Sequence, residues 1–426
     1  MKKFVVMLMA VCLLFAATAC NGTTNEAGGD DEFKIGIILL HNETVGYDKN
    51  FIDAIEAAAD ELGLKDSQII YKKDIPEDSK CYDACVELAE EGCDVIFADS
   101  FSHEAFVIQA AKEYPNIQFL HATGQNAVIE NLPNFHTAFA DIYQARYLAG
   151  VTAGLKLNQL IADGTITEEE AKIGYVGAWP FAEVISGYTS FFLGARSICP
   201  SATMRVTYTS SWADYAKEKE AANKLINEGC VLISEHADTN GSPEACEEAM
   251  KNGKIAYHVG YNIDFTSVAP TANLVSSKIN WAPYFVYAFG NAMKGEAIDV
   301  DWCAGLEKGS VLLMGYNDAN VTAEMKEEIN AVSQKIQSGE IKVFDTSTFT
   351  VTNTAVLEAN FIFPDMYKVD EEGHLTEYMA DAVADADFTP DTQVIKDGCF
   401  EESTVRSAPY FNVIIDGVIL DTDTAQ

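Results

Sequence analysis

Several things are scarce in this sequence of 426 residues, and each absence removes a class of function. No apolar run after Cys20 approaches the ~20 residues that carry a helix across a bilayer, so a permanent membrane span is excluded there. Basic residues number 28 against 65 acidic ones, for a formal net charge of −37. A field of that sign repels nucleic acid and anionic headgroups, and it disfavours phosphorylated ligands. The glycine loops that cradle dinucleotides or nucleoside triphosphates are missing, as is the Gly-x-Ser-x-Gly elbow of hydrolases. His103-Glu104 begins like a zinc-protease motif, but Val107 stands where its second histidine belongs. No cysteine pair has the two-residue spacing of a zinc knuckle, and the seven histidines are scattered. His41, His121 and His236 fall at predicted strand ends, where hydrogen bonding to a ligand or simple packing suits them better than a metal. No catalytic set, metal or cofactor is expected.

What is present begins at the first residue. Lys2 and Lys3 precede an apolar run from Phe4 to Ala17, and small residues then lead to Cys20. That order reads as an export signal, residues 1–19. The small residues before Cys20 are similar to a bacterial lipobox, in which the cysteine becomes the lipidated first residue. Residues 20–31, small, polar and acidic, then read as a lipid-anchored tether. The folded body is expected on the extracytoplasmic face of the cell membrane, moored by acyl chains at Cys20, with no other membrane contact. Eight cysteines remain beyond Cys20, an even number that permits disulfides in an exported protein; one or two are expected, with the rest buried thiols.

From Phe33 onward, apolar strand-like runs alternate with helical spacing. Phe33–Leu40, Ser67–Lys73, Asp94–Ser100, Gln118–Gly124 and Asn134–Asp141 form one series of strands, and Lys172–Trp179, Met204–Ser210, Val231–Ala237 and Lys254–Asn262 a second. Apolar runs of this kind, each followed by a helix, imply parallel sheets buried on both faces. The fold class is therefore α/β, with two doubly wound lobes. The expected division is 32–143 with 268–298 for an N-terminal lobe and 144–267 with 299–345 for a C-terminal lobe. Residues 346–426 form a less periodic C-terminal extension packing on the lobes, with strands expected at Phe349–Thr352 and Phe411–Ile419.

In such sheets ligands bind beyond the carboxyl ends of the strands. The residues there mix aromatics with Asp, Asn and Ser, which suits a neutral, flat ligand with hydrogen-bonding edges. Tyr47, Phe51, Trp179, Phe181, Trp212 and Trp281 are candidates for its faces. Asp48, Ser100, His236, Asp238, Asn262 and Asp264 are candidates for its edges. Taken singly, each of these polar residues also suits a helix cap or a turn.

Five segments, in order, carry a resemblance. They are Gly46-Tyr47-Asp48-Lys49-Asn50-Phe51, Tyr147-Leu148-Ala149-Gly150, Ile173 to Gly177 with Ala182-Glu183-Val184, Ser211-Trp212 with His236-Ala237-Asp238, and Val259 to Asn262 with Trp281-Ala282-Pro283-Tyr284. Together they resemble the basic membrane protein (BMP) family of solute-binding lipoproteins, relatives of purine-nucleoside receptors that feed ABC importers. The resemblance runs from about Phe33 to Phe344. It implies a periplasmic-binding-protein type I fold, a monomer, a purine nucleoside or nucleobase as ligand, and an ABC permease as partner. Many members carry Asp where this chain has Asn262, a position associated with ribose hydroxyls; Asp264 lies two residues on. A sugar or other small polar solute remains open as ligand. So does an exported nucleoside hydrolase, which would need an acid–base pair or metal cluster not found in the sequence.

Overall fold

A computed structural model describes residues 32–382 and 389–421. The export signal, Cys20 and the tether lie outside the described residues. The first lobe opens with β1 (Ile35–Ile38), α1 (Gly46–Leu62), β2 (Ile69–Lys72), α2 (Ser79–Glu90), β3 (Val95–Ala98) and α3 (Glu104–Glu113). It continues with β4 (Gln118–Ala122), α4 (Ala127–Glu130) and β5 (Phe135–Ala140). Then α5 (Ile142–Ala162) crosses to the second lobe, built from β6 (Lys172–Gly177), α6 (Ala182–Ile198), β7 (Thr203–Tyr208), α7 (Tyr215–Asn227), β8 (Leu232–His236), α8 (Gly241–Lys251), β9 (Tyr257–Tyr261) and β10 (Asn273–Ile279). The chain returns through α9 (Ala282–Lys294) and β11 (Asp301–Ala304) to the first lobe, and crosses again to β12 (Val311–Met314) and α10 (Ala323–Gln337).

The first sheet runs β11-β5-β4-β3-β1-β2, parallel throughout. Its two faces are both apolar, as a buried parallel sheet requires. Ile35, Ile37 and Leu39 meet α1 and α9, while Ile38, Ile96 and Ala98 meet the Cys81, Leu88 and Val107 side of α2 and α3. The second sheet runs β12-β10-β9-β8-β6-β7-β18, where β18 is Val418–Leu420, and it is parallel except at β12. Its helices α5 and α6 touch backbone to backbone. A methyl group on Gly150 would stand 1.9 Å from the Phe191 carbonyl oxygen, and one on Gly194 2.0 Å from that of Tyr147.

The division between lobes differs from expectation at two strands. β10 pairs with β9 (Val275↔Val259) and so belongs to the second sheet, although residues 268–298 were assigned to the first lobe. β11 pairs with β5 (Cys303↔Phe139) and belongs to the first, within a span assigned to the second. The physical reason is that the crossings lie at strand ends, so consecutive strands β10 and β11 go to opposite sheets.

The extension comprises α11 (Thr354–Ala359), the antiparallel strands β13 (Tyr367–Val369), β14 (Leu375–Ala380) and β15 (Thr392–Gln393), the pair β16 (Ile395–Lys396) and β17 (Cys399–Phe400), and β18 (Val418–Leu420). No strand forms at 349–352, where Phe349 and Val351 instead plug the second lobe's core. The expected strand at 411–419 shrinks to β18, because Phe411 stacks on Phe344 at 4.4 Å rather than pairing its backbone. β18 extends the second sheet beside β7 (Ile419↔Arg205). The same segment also reaches the first lobe, where the Ser407 N–H donates to Asp301 Oδ2 at 2.8 Å.

The expected disulfides do not form. Cys81, Cys85, Cys93, Cys199, Cys230, Cys246, Cys303 and Cys399 are all free thiols. They are divided among several apolar cores, Cys81, Cys85 and Cys93 in one, Cys230 and Cys246 in another and Cys199 in a third, and the close pair Cys81 and Cys85 lies one turn apart on α2, a poor geometry for a bridge. Burial pushes most of these thiols above their ordinary range, Cys93 and Cys399 to about 11 and Cys230 to about 12. No helix among the described residues is long and apolar enough to cross a membrane.

Candidate functional site

Sheet order decides where the cleft lies. In the first sheet the order reverses between β1 and β3, and in the second between β6 and β8. Helices leave the two sides of each reversal in opposite directions, opening a crevice at the carboxyl ends of those strands. The four segments that follow are Leu39–His41, Asp99–Phe101, Ala178–Glu183 and His236–Asp238. They meet in one inner pocket, lined by Leu40, His41, Ser100, Phe101, Glu183, Trp212, His236 and Asp238, with Tyr47, Thr123 and Tyr261.

The first-lobe wall is fixed by buried carboxylates. The His41 N–H donates to Asp48 Oδ1 at 2.7 Å, and the His41 ring Nδ1 lies 3.3 Å from Asp48 Oδ2. The Leu40 N–H donates to Asp99 Oδ1 at 3.0 Å, while the Tyr47 hydroxyl donates to the Asp99 carbonyl at 2.8 Å. Asp48 and Asp99 are both fully buried; burial, and then the charge of Asp48, push the Asp99 carboxyl well above its ordinary range. Ser100 Oγ donates to Glu77 Oε1 at 2.6 Å.

The second-lobe wall has a cation beneath it. Arg146, on α5 and buried, donates from its guanidinium to the Glu235 carbonyl at 2.8 Å and lies 3.7 Å over the Tyr261 ring. Burial lowers His236 to about 4, with Arg146 adding to the effect, so its ring is neutral at pH 7. His236 Nε2 faces Glu183 Oε1 at 3.3 Å. Burial, followed by the charges of Glu218, Asp48, Glu183 and Glu235, raises Asp238 well above its ordinary range. The Thr123 and Tyr261 hydroxyls, both lining the pocket, are buried without a hydrogen-bond partner within the protein. Unmatched buried polar atoms are costly, so their convergence around one pocket points to a polar guest.

Aromatic rings close the mouth. Trp179 stacks on Phe181 (5.9 Å, 13°), Phe181 meets Trp212 at 6.1 Å, and Phe101 from the first lobe meets Phe181 at 6.1 Å. The Gly46 N–H donates to the Asp238 carbonyl at 3.4 Å, a second tie from lobe to lobe.

Of the residues chosen from sequence, Tyr47, Ser100, Trp212, His236 and Asp238 line the inner pocket, and Asp48 backs it through His41. Trp179 and Phe181 line a larger adjoining cleft. Four do not reach the ligand space. Phe51 and Trp281 stack on each other at 4.8 Å in the first lobe's core, because Trp281, at the N-terminal end of α9, turns inward. Asn262 is buried with its side-chain oxygen 3.4 Å from the Asn50 amide nitrogen, behind the pocket. Asp264 is exposed and accepts from the Thr266 N–H at 2.8 Å, a turn cap. Glu183 was missed as a site residue; its signal is its place in the first turn after a strand end at a reversal point. Among the described residues no group of His, Cys, Asp and Glu is arranged to hold a metal.

Two parallel-sheet lobes joined by three crossings, with a cleft between their strand ends, define a solute-binding protein of periplasmic-binding-protein type. Solved ABC-transporter solute-binding proteins share the fold. One from Aeropyrum pernix K1 has a TM-score of 0.62 at 15% identity, over 77% of this chain and 96% of that one. One from Conexibacter woesei has 0.59 at 20% identity, over 73% and 98%. The family model for PnrA-like ABC transporter substrate-binding proteins (Bmp) matches residues 44–347, and the chain belongs to that family. A purine-binding protein of Brucella abortus is 27% identical over 75% of this chain and 85% of its own length. A putative ABC transporter glucose-binding protein of Haloferax volcanii is 32% identical over 62% of each.

Proposed function

We propose that this ABC substrate-binding protein captures a purine nucleoside or nucleobase outside the membrane and presents it to a permease, moored by lipid at Cys20. One observation carries the reading: the inner pocket, together with the cleft it opens onto, combines ring faces with hydrogen-bonding groups and no cation among the lining side chains. Tyr47, Phe101, Trp212 and Tyr261 supply the faces, and a base gains about 1–3 kcal/mol from each platform it stacks on. Asp238, Glu183 and the Thr123 and Tyr261 hydroxyls meet amine and hydroxyl edges. Nothing there would neutralise a phosphate, so nucleotides are rejected. Two faces and a few hydrogen bonds support affinity of the order of micromolar, about −8 kcal/mol.

A sugar is the second reading, since ring faces with carboxylates also suit a pyranose, and the Haloferax relative bears a glucose-binding name. Calorimetry with adenosine, guanosine, inosine, adenine, ribose and glucose separates the two. Heat with purines alone is expected; heat with glucose and none with any purine would sink the purine reading.

A further inference from the structure

The inner pocket retains about 30 Å³ of free volume, room for one or two waters. The cleft adjoining it retains about 840 Å³. The two share Phe101, Thr123, Glu183 and Trp212, so a ligand held at the inner carboxylates opens directly onto the larger space. That space is lined by Trp179, Phe181 and Trp212 of the second lobe and by Asn360, Phe361 and Pro409 of the extension beyond residue 347, where the family match ends.

We propose that the C-terminal extension gives this binding protein an outer chamber that accepts a neutral, apolar or aromatic substituent on a purine nucleoside. The inference rests on the purine reading and adds to it what the ligand carries. Three features point the same way. Aromatic rings from both the second lobe and the extension line it, offering a guest apolar faces. Among the described residues the charged side chains lining the space are Glu183 and Asp421, the latter paired with Lys224 at 2.7 Å, so a phosphate or carboxylate substituent finds no cation in the lining. Phe361 is the left-handed residue that ends α11, its N–H donating to the Glu358 carbonyl at 3.1 Å and the Ile362 N–H to that of Leu357 at 2.9 Å, and it leaves its ring 78% exposed beside the space. A guest packed against that ring would take it out of water.

The test is calorimetry on the full exported chain with adenosine, N6-benzyladenosine, 5′-deoxy-5′-methylthioadenosine and AMP. The two substituted nucleosides project their groups from opposite edges, so whichever gains identifies the edge that faces the chamber. At least one is expected to bind about tenfold tighter than adenosine, the value of one good aromatic contact. Phe361→Ala should erase that gain. Ala359→Trp, at the exposed end of α11, narrows the chamber and should also erase it. Both variants should leave adenosine affinity unchanged. Adenosine binding with no gain from either substituent would overturn the proposal, as would a gain that survives both variants or one matched by AMP. An absence of heat with every nucleoside would take down the purine reading, and this proposal with it.

Discussion

Replacing Trp212 by alanine should weaken purine binding without unfolding the protein. The indole lines both chambers, 6.1 Å from the Phe181 ring, and is only half buried. Its backbone carbonyl accepts from the Asp238 N–H at 2.9 Å, a bond the substitution leaves in place. The loss is therefore one stacking face, about 1–3 kcal/mol, which raises Kd roughly fivefold to 150-fold. Isothermal calorimetry with adenosine should show at least a fivefold rise, about 1 kcal/mol. The stability cost of a half-exposed ring is about 1 kcal/mol, visible as a small drop in Tm. Trp281→Phe is the matched control. Trp281 is buried and stacked on Phe51, so shrinking it should lower Tm and leave Kd alone. The reasoning fails if Trp212→Ala leaves Kd within about twofold of the parent, or if Trp281→Phe shifts Kd by as much.

Two further outcomes concern stability. Gly194→Ala forces a methyl to within 2.0 Å of the Tyr147 carbonyl, so α5 and α6 must separate; a loss of roughly 3 kcal/mol is expected by urea denaturation, and an unchanged midpoint would contradict the backbone contact. Burial pushes Glu218 and Glu402 each from 4.5 to about 8, so in the folded chain they hold protons that the unfolded chain has released. Their contribution is complete below pH 4.5 and is lost as pH rises through 8, at no more than about 1.4 kcal/mol per pH unit for each group. The urea midpoint should accordingly fall between pH 6 and pH 9, and Glu402→Gln should flatten that fall; a midpoint rising with pH in that window would refute the sign.

The lobes were legible because buried parallel strands write themselves as short apolar runs, and the positions beyond their ends follow from sheet order. What periodicity could not convey was which sheet each late strand joins. β10 and β11 both mix polar with apolar residues, Asn273 and Lys278 in one and Asp301 in the other, and only pairing in space sends them to opposite lobes. The same limit governs the site. Trp212 and Trp281 both follow strand-like runs, yet one faces the cleft and the other the core, because the turn before α9 points its indole inward. Asp264 and Asp238 look alike in sequence, and only burial distinguishes a turn cap from a pocket wall. The extension was least legible, since Phe344, Phe400 and Phe411 are joined by ring contacts with no period along the chain.

β18 pairs with β7 across more than two hundred residues of chain, and it is the last strand described. Until it emerges, β7 is an open sheet edge with unpaired backbone groups, the kind of surface that recruits other strands. The second lobe therefore cannot be finished before Val418–Leu420 has been made. Its final seam waits for that strand, and a copy truncated before Val418 would carry an unsealed edge beside its cleft.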